Sequence, residues 1–158
     1  MKNLKNQRRI SREICMQIIY QIDVNKEEVQ NMKQFIDLFL INNEDNILER
    51  YNEIFDTKKE SIYEVADIKF IEDVLSSLNE NREKIDTLIT ENTKNWSINR
   101  MAKVDVSILR IALSEILSNQ DIPTKVSINE AIEIAKVYSD DKTPKFINGI
   151  LGSIVDKI

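Results

Sequence analysis

The sequence predicts an all-α fold, a helical bundle of six to seven helices, and three observations support this prediction. The 158 residues include only two glycines and two prolines, which is too little turn-forming material for an all-β fold. Apolar residues recur every three or four positions over long stretches, which is the period of an amphipathic helix. No stretch shows the apolar–polar alternation of a half-buried strand.

The first helices are predicted from apolar stripes. A helix is expected over about residues 8–23, where the stripe consists of Ile10, Ile14, Ile18, Ile19 and Ile22. In residues 24–66 the segment "FIDLFLI" is typical of the buried face of a second helix, and "NNEDN" and "DTKKES" are loop candidates. A short additional helix is expected between those two loops.

The later helix starts are predicted from capping residues. Asp67 is expected to cap a third helix and Ser97 a fourth, whose two apolar faces indicate a central helix packed on both sides. Ser127, followed three residues later by a glutamate, has the spacing of a capping box and is expected to open the next helix. Thr143 is expected to cap the last helix, with Pro144 at its first position.

The composition argues against an enzyme and against bound cofactors or metals. The chain has no histidine and one cysteine, Cys15, so it cannot build a zinc site or a Ser–His or Cys–His nucleophile. The first glycine is Gly149, so no phosphate-binding glycine loop precedes it. Carboxylate or lysine catalysis stays open, although no pattern indicates it.

The apolar content indicates a protein outside the membrane. No apolar run approaches the roughly 20 residues of a membrane span. The basic start is followed by an apolar stretch that Gln17 and Gln21 interrupt, which is not typical of a signal peptide. A single cysteine fits a reducing compartment, and we therefore expect a cytoplasmic protein.

The charge distribution is uneven. The formal net charge is −5, but residues 1–12 carry +5 and the remainder carries −10. A basic segment on an acidic body indicates contact with a polyanion, whereas the alternative is a solvated, frayed terminus. Cations near a helix amino end oppose the helix dipole at about 0.3–1 kcal/mol each, which favours a functional role. The basic residues are Lys2, Lys5, Arg8, Arg9 and Arg12.

Both glycines lie in "KFINGILGSI", on the last predicted helix. They allow either close packing of a neighbouring helix or close approach of a ligand. Before Gly149 stand Lys145, Phe146 and Asn148, residue types that meet a phosphate, stack on a base and bond to its edge. The residues alone favour the packing interpretation, with Phe146 in the core.

Three segments together resemble the signature blocks of the NusB family of bacterial transcription antitermination factors. They are "RRISREICMQIIYQ", "NWSINRMAKVDVSILRIALSEIL" and "DIPTKVSINEAIEIAKVYSDDKTPKFINGIL", in the family's order and spacing. The resemblance implies one domain over residues 1–158, built of two three-helix sub-bundles packed across each other, over residues 1–80 and 81–158. It also implies that the protein has no catalytic activity.

The resemblance further implies the ligands. Such proteins bind boxA, a short single-stranded RNA element, together with the small-subunit ribosomal protein also called NusE. The complex joins RNA polymerase and other Nus factors and supports transcription of ribosomal RNA operons. The implied RNA-binding residues are Lys2, Lys5, Arg8, Arg9, Arg12, Tyr20, Lys145, Phe146, Asn148 and Gly149. We expect the basic residues at the amino end and the "KFING" segment to lie close together and form one cradle for the RNA strand.

The resemblance changes the interpretation of three single residues and leaves other questions open. It favours RNA approach at Gly149, leaves Gly152 as a packing residue and gives Asp105 a structural role. An adaptor that binds the ribosomal protein without touching RNA remains the alternative, because the body is acidic. A methyltransferase with a domain of this kind is disfavoured, since no nucleotide-binding glycine motif is present. Self-association and the role of residues 24–66 are left open.

Overall fold

The computed structural model describes residues 2–94, 97–118 and 121–158, with the backbone alone described for Lys2. Within these residues it contains seven α-helices, one short 3-10 turn and no strand, so the all-α prediction is confirmed. The helices are α1 (Lys2–Asn25), α2 (Met32–Phe55), α3 (Ile62–Val65), α4 (Ile68–Glu91), α5 (Lys103–Leu117), α6 (Thr124–Tyr138) and α7 (Thr143–Val155). The chain forms two compact units, Met1–Asp73 and Val74–Ile158, and the boundary falls within α4.

In the first unit, α1 is longer than predicted and includes the basic residues. It begins at Lys2 rather than near residue 8, so all five basic residues lie on the helix. Its buried face carries the predicted stripe from Ile10 to Ile19. Lys, Gln and Arg are good helix formers, so local propensity supports this extension.

The helix α2 is continuous, and the predicted loop at "NNEDN" is therefore wrong. Ile36, Leu40, Ile47 and Tyr51 are all buried, so the apolar stripe runs through the polar segment without a break in period. Within that segment the side-chain amide of Asn43 donates to the carbonyl of Phe39 at 2.8 Å. Burial of the stripe outweighs the turn preference of asparagine and aspartate.

The helix α4 begins where its sequence predicts. The Oδ1 atom of Asp67 accepts a hydrogen bond from the N–H of Phe70 at 3.1 Å, which caps the helix. At Asn81 the backbone leaves helical geometry (φ −111°, ψ 16°), and the Asn81 amide donates to the carbonyl of Ser77 at 2.9 Å. This position is therefore a kink within α4.

In the second unit, α5 is the central helix. Every residue from 106 to 115 is buried, which explains its two apolar faces. The guanidinium group of Arg110 donates to both carboxylate oxygens of Asp86, at 2.9 and 3.0 Å, and so joins α5 to α4. The helices α6 and α7 pack against each other and against α5.

Three predicted helix starts in this unit are displaced. A 3-10 turn (Ile98–Arg100) follows Ser97, and α5 begins at Lys103 instead. Ser127 lies inside α6, 1% exposed, because that helix begins directly after Pro123. At α7, Thr143 is already helical rather than a cap.

Candidate nucleic-acid interface

The basic residues of α1 differ in their exposure. Lys5 is exposed, Arg8 and Arg9 are half-buried, and Arg12 is buried with 4% of its surface exposed. The side chain of Lys2 lies outside the described part of the structure. From its position, the guanidinium group of Arg12 offers a phosphate little accessible surface, so it differs from the other predicted phosphate ligands.

Phe70, a buried residue of α4, supports two of these arginines. The guanidinium carbon of Arg8 lies 5.3 Å from the ring centroid, and that of Arg12 lies 5.2 Å from it. Because Arg8 and Arg12 are one turn apart on α1, both reach the same ring. A cation within about 6 Å of a ring centroid is attracted by the ring quadrupole, by about 0.5–2 kcal/mol. The ring therefore holds both guanidinium groups in defined positions.

Asp67 joins the start of α4 to the same face of α1. Its Oδ2 atom lies 3.6 Å from Nε of Arg8, and its backbone N–H donates to Oγ of Ser11 at 2.8 Å. Nε of Arg8 makes no hydrogen bond to the described residues, while 28% of the Arg8 side chain stays exposed. The Arg8 guanidinium is thus fixed by a ring and a carboxylate and still has surface for an external anion.

Tyr20, the predicted aromatic contact of α1, is 41% exposed. The same unit exposes the apolar side chains of Val24, Leu38 and Ile41. Large exposed apolar side chains are typical of surfaces that a ligand or partner covers. The first unit therefore presents both cations and apolar contact area.

The "KFING" segment forms the first turns of α7. Lys145, Asn148 and Gly149 are exposed and Phe146 is half-buried, so the expectation of Phe146 in the core is wrong. Ile147 is fully buried and anchors the helix, which leaves the opposite side of this turn to solvent. The turn therefore presents a cation, an amide and part of an aromatic ring to solvent.

Neither glycine is required by packing. Beyond the adjacent residues and the backbone of α7 itself, a Cβ atom built on Gly149 or Gly152 would meet no heavy atom of the described residues within 4 Å, and neither residue has positive φ. The prediction that Gly152 packs against a neighbouring helix is therefore wrong. Since glycine weakens a helix interior by about 0.5–1 kcal/mol relative to alanine, both glycines lower the stability of α7.

A cavity of about 320 Å³ opens beside Phe146 in the second unit. Asp105 lies in its wall and accepts a hydrogen bond at Oδ1 from the hydroxyl of Ser139 at 2.6 Å, in line with the structural role predicted for it. The cavity is lined by Arg100, Met101, Ala102, Asp105, Asp140, Lys142, Thr143 and Phe146. It combines an aromatic wall with two cations and two carboxylates.

Asp140 organises the turn that leads into α7. Its Oδ1 atom accepts from the backbone N–H of Lys142 at 2.9 Å, and from the N–H and the hydroxyl of Thr143 at 3.2 and 3.1 Å. The Lys142 N–H and the Thr143 hydroxyl, in that order, lower the pKa of Asp140 from its usual 3.8. The carboxylate thus stays ionised at the mouth of the cavity and supports the start of α7.

The described residues hold neither a metal-ligand cluster nor a membrane-spanning helix. No cluster of three or more metal-ligating side chains occurs in the ranges that the structure describes. Across the same ranges, no helix combines the length and apolar character needed to cross a bilayer.

Sequence reasoning missed three residues of these surfaces. Phe70 follows Asp67 by one helical turn, but its role depends on α4 lying against α1. Arg100 and Lys142 line the cavity with Phe146, and no motif links them. The one available signal was charge, since both are cations that lie within the segments of the family resemblance.

The fold and these surfaces define a class: an all-α protein with cations on its first helix and a cavity with an aromatic wall in its second unit. Comparison with known proteins makes the class specific. The sequence model described as the NusB family matches residues 9–156, and this chain belongs to that family.

Curated relatives agree over nearly the whole length. The chain is 38% identical over 148 residues to the transcription antitermination protein NusB of Clostridium novyi (strain NT), with 94% of this chain and 97% of the relative covered. It is 39% identical over 153 residues to the protein of the same name from Clostridium botulinum (strain Kyoto / Type A2), with 94% and 99% covered.

Solved structures show the same fold. The T. maritima NusB structure matches with a TM-score of 0.68 at 31% identity, covering 95% of this chain and 91% of that one. A crystal structure of the antitermination factors NusB and NusE in complex with dsRNA matches with a TM-score of 0.68, covering 96% and 98%. At 19% identity, the second likeness concerns the fold alone.

Proposed function

We propose that this protein is an RNA-binding transcription antitermination factor that binds boxA-type single-stranded RNA together with the ribosomal protein NusE. The family membership supports the activity, because relatives over nearly the full length are named transcription antitermination proteins. A protein of the same fold occurs in a complex with NusE and dsRNA. The observation that carries the RNA contact is the Arg8 guanidinium, held over Phe70 and partly exposed.

The RNA contacts divide between two chemistries. Lys2, Lys5, Arg8 and Arg9 on α1, with Lys145 on α7, neutralise phosphates and supply affinity without sequence preference. Phe146 stacks on an unstacked base, Asn148 bonds to a base edge, and Tyr20 adds aromatic contact area. Gly149 lets the RNA backbone approach α7 closely. Arg12 does not contact the RNA itself but contributes through Phe70, whose ring it contacts together with Arg8.

The proposal extends to the surroundings of the complex. The bound RNA, this protein and NusE would join RNA polymerase and other Nus factors in the cytoplasm, during transcription of ribosomal RNA operons. The protein would have no catalytic activity, cofactor or metal of its own. An acidic remainder of −10 outside residues 1–12 favours a basic ribosomal protein as the partner.

A salt titration tests the RNA contact. Fluorescence anisotropy of labelled boxA RNA is measured from 50 to 300 mM salt, with and without NusE. About three to five phosphate contacts on a single strand predict a slope of log K against log salt of roughly −2 to −3.5. A slope near zero, or equal affinity for a scrambled RNA of the same composition in the presence of NusE, would overturn the proposal.

Matched variants locate the contact. Arg8→Gln and Arg9→Gln each remove one positive charge from α1 and are expected to lower the magnitude of the slope by about 0.7. Lys33→Gln removes the same charge from an exposed position of α2 and is expected to leave the slope unchanged. Equal effects of all three variants would mean that only the total charge matters.

The adaptor function remains the second candidate. The exposed side chains of Leu38 and Ile41 and the acidic body favour a protein partner independently of RNA. In that case NusE binds this protein with unchanged affinity whether boxA RNA is present or absent. If RNA and NusE instead bind this protein cooperatively, each must raise the affinity for the other by the same factor.

A further inference from the structure

The cavity beside Phe146 carries no net formal charge, although it adjoins a segment proposed to bind RNA. Arg100 and Lys142 contribute two positive charges, and Asp105 and Asp140 contribute two negative ones. The two carboxylates offset the two cations, so the cavity offers a phosphate group of the RNA backbone no net attraction. It is better suited to a neutral group that is flat, apolar on its faces and rich in hydrogen-bond donors.

A nucleobase has those properties. Phe146 provides a half-buried aromatic wall, on which a base can stack. The volume of about 320 Å³ lies at the lower end of the roughly 300–1,000 Å³ that small-molecule sites occupy. Lys145, exposed and directly before Phe146, adds a cation to the same turn of α7.

The two carboxylates differ in how many hydrogen bonds they already accept. Oδ1 of Asp140 already accepts three hydrogen bonds from Lys142 and Thr143. Asp105 accepts one, at Oδ1 from Ser139, and its Oδ2 accepts none among the described residues. Oδ2 of Asp140 likewise accepts none there, but Asp105 accepts one hydrogen bond where Asp140 accepts three, so Asp105 keeps the larger unused acceptor capacity of the two.

We propose that this cavity binds one guanine base of the RNA and that the carboxylate of Asp105 accepts hydrogen bonds from its Watson–Crick edge. A carboxylate only accepts, and guanine is the base that presents two adjacent donors, N1–H and the N2 amino group. Uracil places its single N–H between two carbonyl oxygens, which a carboxylate repels. Adenine and cytosine each place an acceptor nitrogen beside their amino group. This inference rests on the RNA-binding function proposed above.

Inosine substitution tests the inference without changing the protein. Inosine lacks the N2 amino group of guanosine and is otherwise the same, so it removes one donor. Each guanosine of the boxA RNA is replaced in turn, and one replacement is expected to weaken binding about tenfold. In Asp105→Asn the amide oxygen can still accept the hydrogen bond from Ser139, but an NH2 group, which donates, replaces the second carboxylate oxygen, which accepts. This variant is expected to bind the unmodified RNA about tenfold more weakly and to lose the discrimination against inosine.

A matched charge control and a free nucleotide complete the experiment. Glu133→Gln removes a carboxylate from an exposed position of α6 outside the cavity wall, and it should retain the full inosine effect. Guanosine 5′-monophosphate, titrated alone and followed by NMR, should shift the resonances of Phe146 more than inosine 5′-monophosphate does.

The outcomes separate this inference from the function on which it rests. If RNA binds with the expected salt slope but no inosine replacement weakens binding, the guanine site is wrong and the RNA-binding function stands. If inosine weakens binding equally in the wild type and in Asp105→Asn, the guanine is read elsewhere and the assignment to Asp105 is overturned. If RNA does not bind at all, the proposed function fails. A selective response to guanosine 5′-monophosphate would then still support the cavity as a guanine site.

Discussion

The guanidinium group of Arg8 lies over the ring of Phe70, 5.3 Å from its centroid, and Oδ2 of Asp67 lies 3.6 Å from Nε of Arg8. A flexible arginine loses side-chain entropy when an anion fixes it, by up to about 2 kcal/mol. Here contacts within the first unit have already restricted the side chain. The cation is therefore preorganised for a phosphate, which reduces the entropy lost on binding.

Phe70→Leu tests this preorganisation. The variant removes the ring beneath Arg8 and Arg12 while keeping an apolar side chain in the core. We expect the free energy of unfolding to fall by about 1–3 kcal/mol, since packing and the cation–π contacts are lost together. We also expect boxA affinity to fall about threefold to tenfold, measured by anisotropy at fixed salt. Ile71→Val, at the next buried position, should cost about 0.5–1.5 kcal/mol of stability and leave RNA affinity unchanged. Equal RNA affinities of the two variants would contradict preorganisation by the ring.

Arg12 and Arg9 should respond in opposite ways. Arg12 is 4% exposed, so Arg12→Gln breaks buried contacts and is expected to lower the free energy of unfolding by about 1–3 kcal/mol. Arg9 is half-buried, so Arg9→Gln should affect stability less and the salt dependence of RNA binding more. Urea denaturation and a salt titration on both proteins give the comparison. A larger change of salt slope in Arg12→Gln than in Arg9→Gln would place Arg12 at the phosphate instead.

The periodicity of the sequence was sufficient for most of the fold but not for its interruptions. Asp67 predicted the start of α4 correctly, because a helix cap is a signal within one local segment. The loop predicted at "NNEDN" was wrong because Ile47 and Tyr51, which decide the issue, are buried by tertiary packing. Composition alone could not weigh that burial against the turn preference of asparagine.

In the candidate site, too, local sequence features could be predicted and features that depend on tertiary packing could not. Residue types and a family resemblance selected Arg8, Phe146 and Asn148, and their contact with RNA stays a prediction. The burial of Arg12 and the carboxylates beside Phe146 could not be predicted, because they depend on which side chains separate helices bring together. For Gly152 the sequence suggested a contact that the structure does not contain. A helical glycine beside an apolar stripe suggests close helix packing, yet no atom of a neighbouring helix approaches it.

The Arg110–Asp86 pair should contribute more to stability than an exposed pair. Arg110 is 5% exposed and donates two hydrogen bonds to Asp86, so Arg110→Gln is expected to lower the free energy of unfolding by about 2–3 kcal/mol. Lys136→Gln removes the cation of the exposed pair with Glu133, and it should cost less than about 1 kcal/mol. Chemical denaturation of both variants measures the difference. Similar costs would mean that the buried geometry adds nothing to the pair.

Asp140 predicts a pH dependence at the start of α7. Its pKa is lowered in the folded protein by the Lys142 N–H and the Thr143 hydroxyl, so its ionised form stabilises the fold. That stabilisation is present above the usual pKa of 3.8 and is lost as the pH falls through the lower folded value. Asp140→Asn should therefore have a lower Tm than the wild type at pH 7, and the difference should shrink below pH 3.8. A Tm difference that stays constant between pH 7 and pH 2 would contradict this assignment.

Gly149 and Gly152 offer a matched pair for the RNA contact, because the free protein has space for a Cβ at both positions. Alanine at either position should raise the free energy of unfolding by about 0.5–1 kcal/mol, since it restricts the unfolded chain and favours helix. Only at the exposed Gly149 is the RNA backbone proposed to approach, so Gly149→Ala should also weaken boxA binding several-fold. Gly152→Ala should bind RNA as the wild type does. Thermal unfolding and anisotropy on the two variants separate stability from binding. Unchanged RNA affinity in a stabilised Gly149→Ala would show that the strand does not contact this turn, and the "KFING" segment would then have to be removed from the interface.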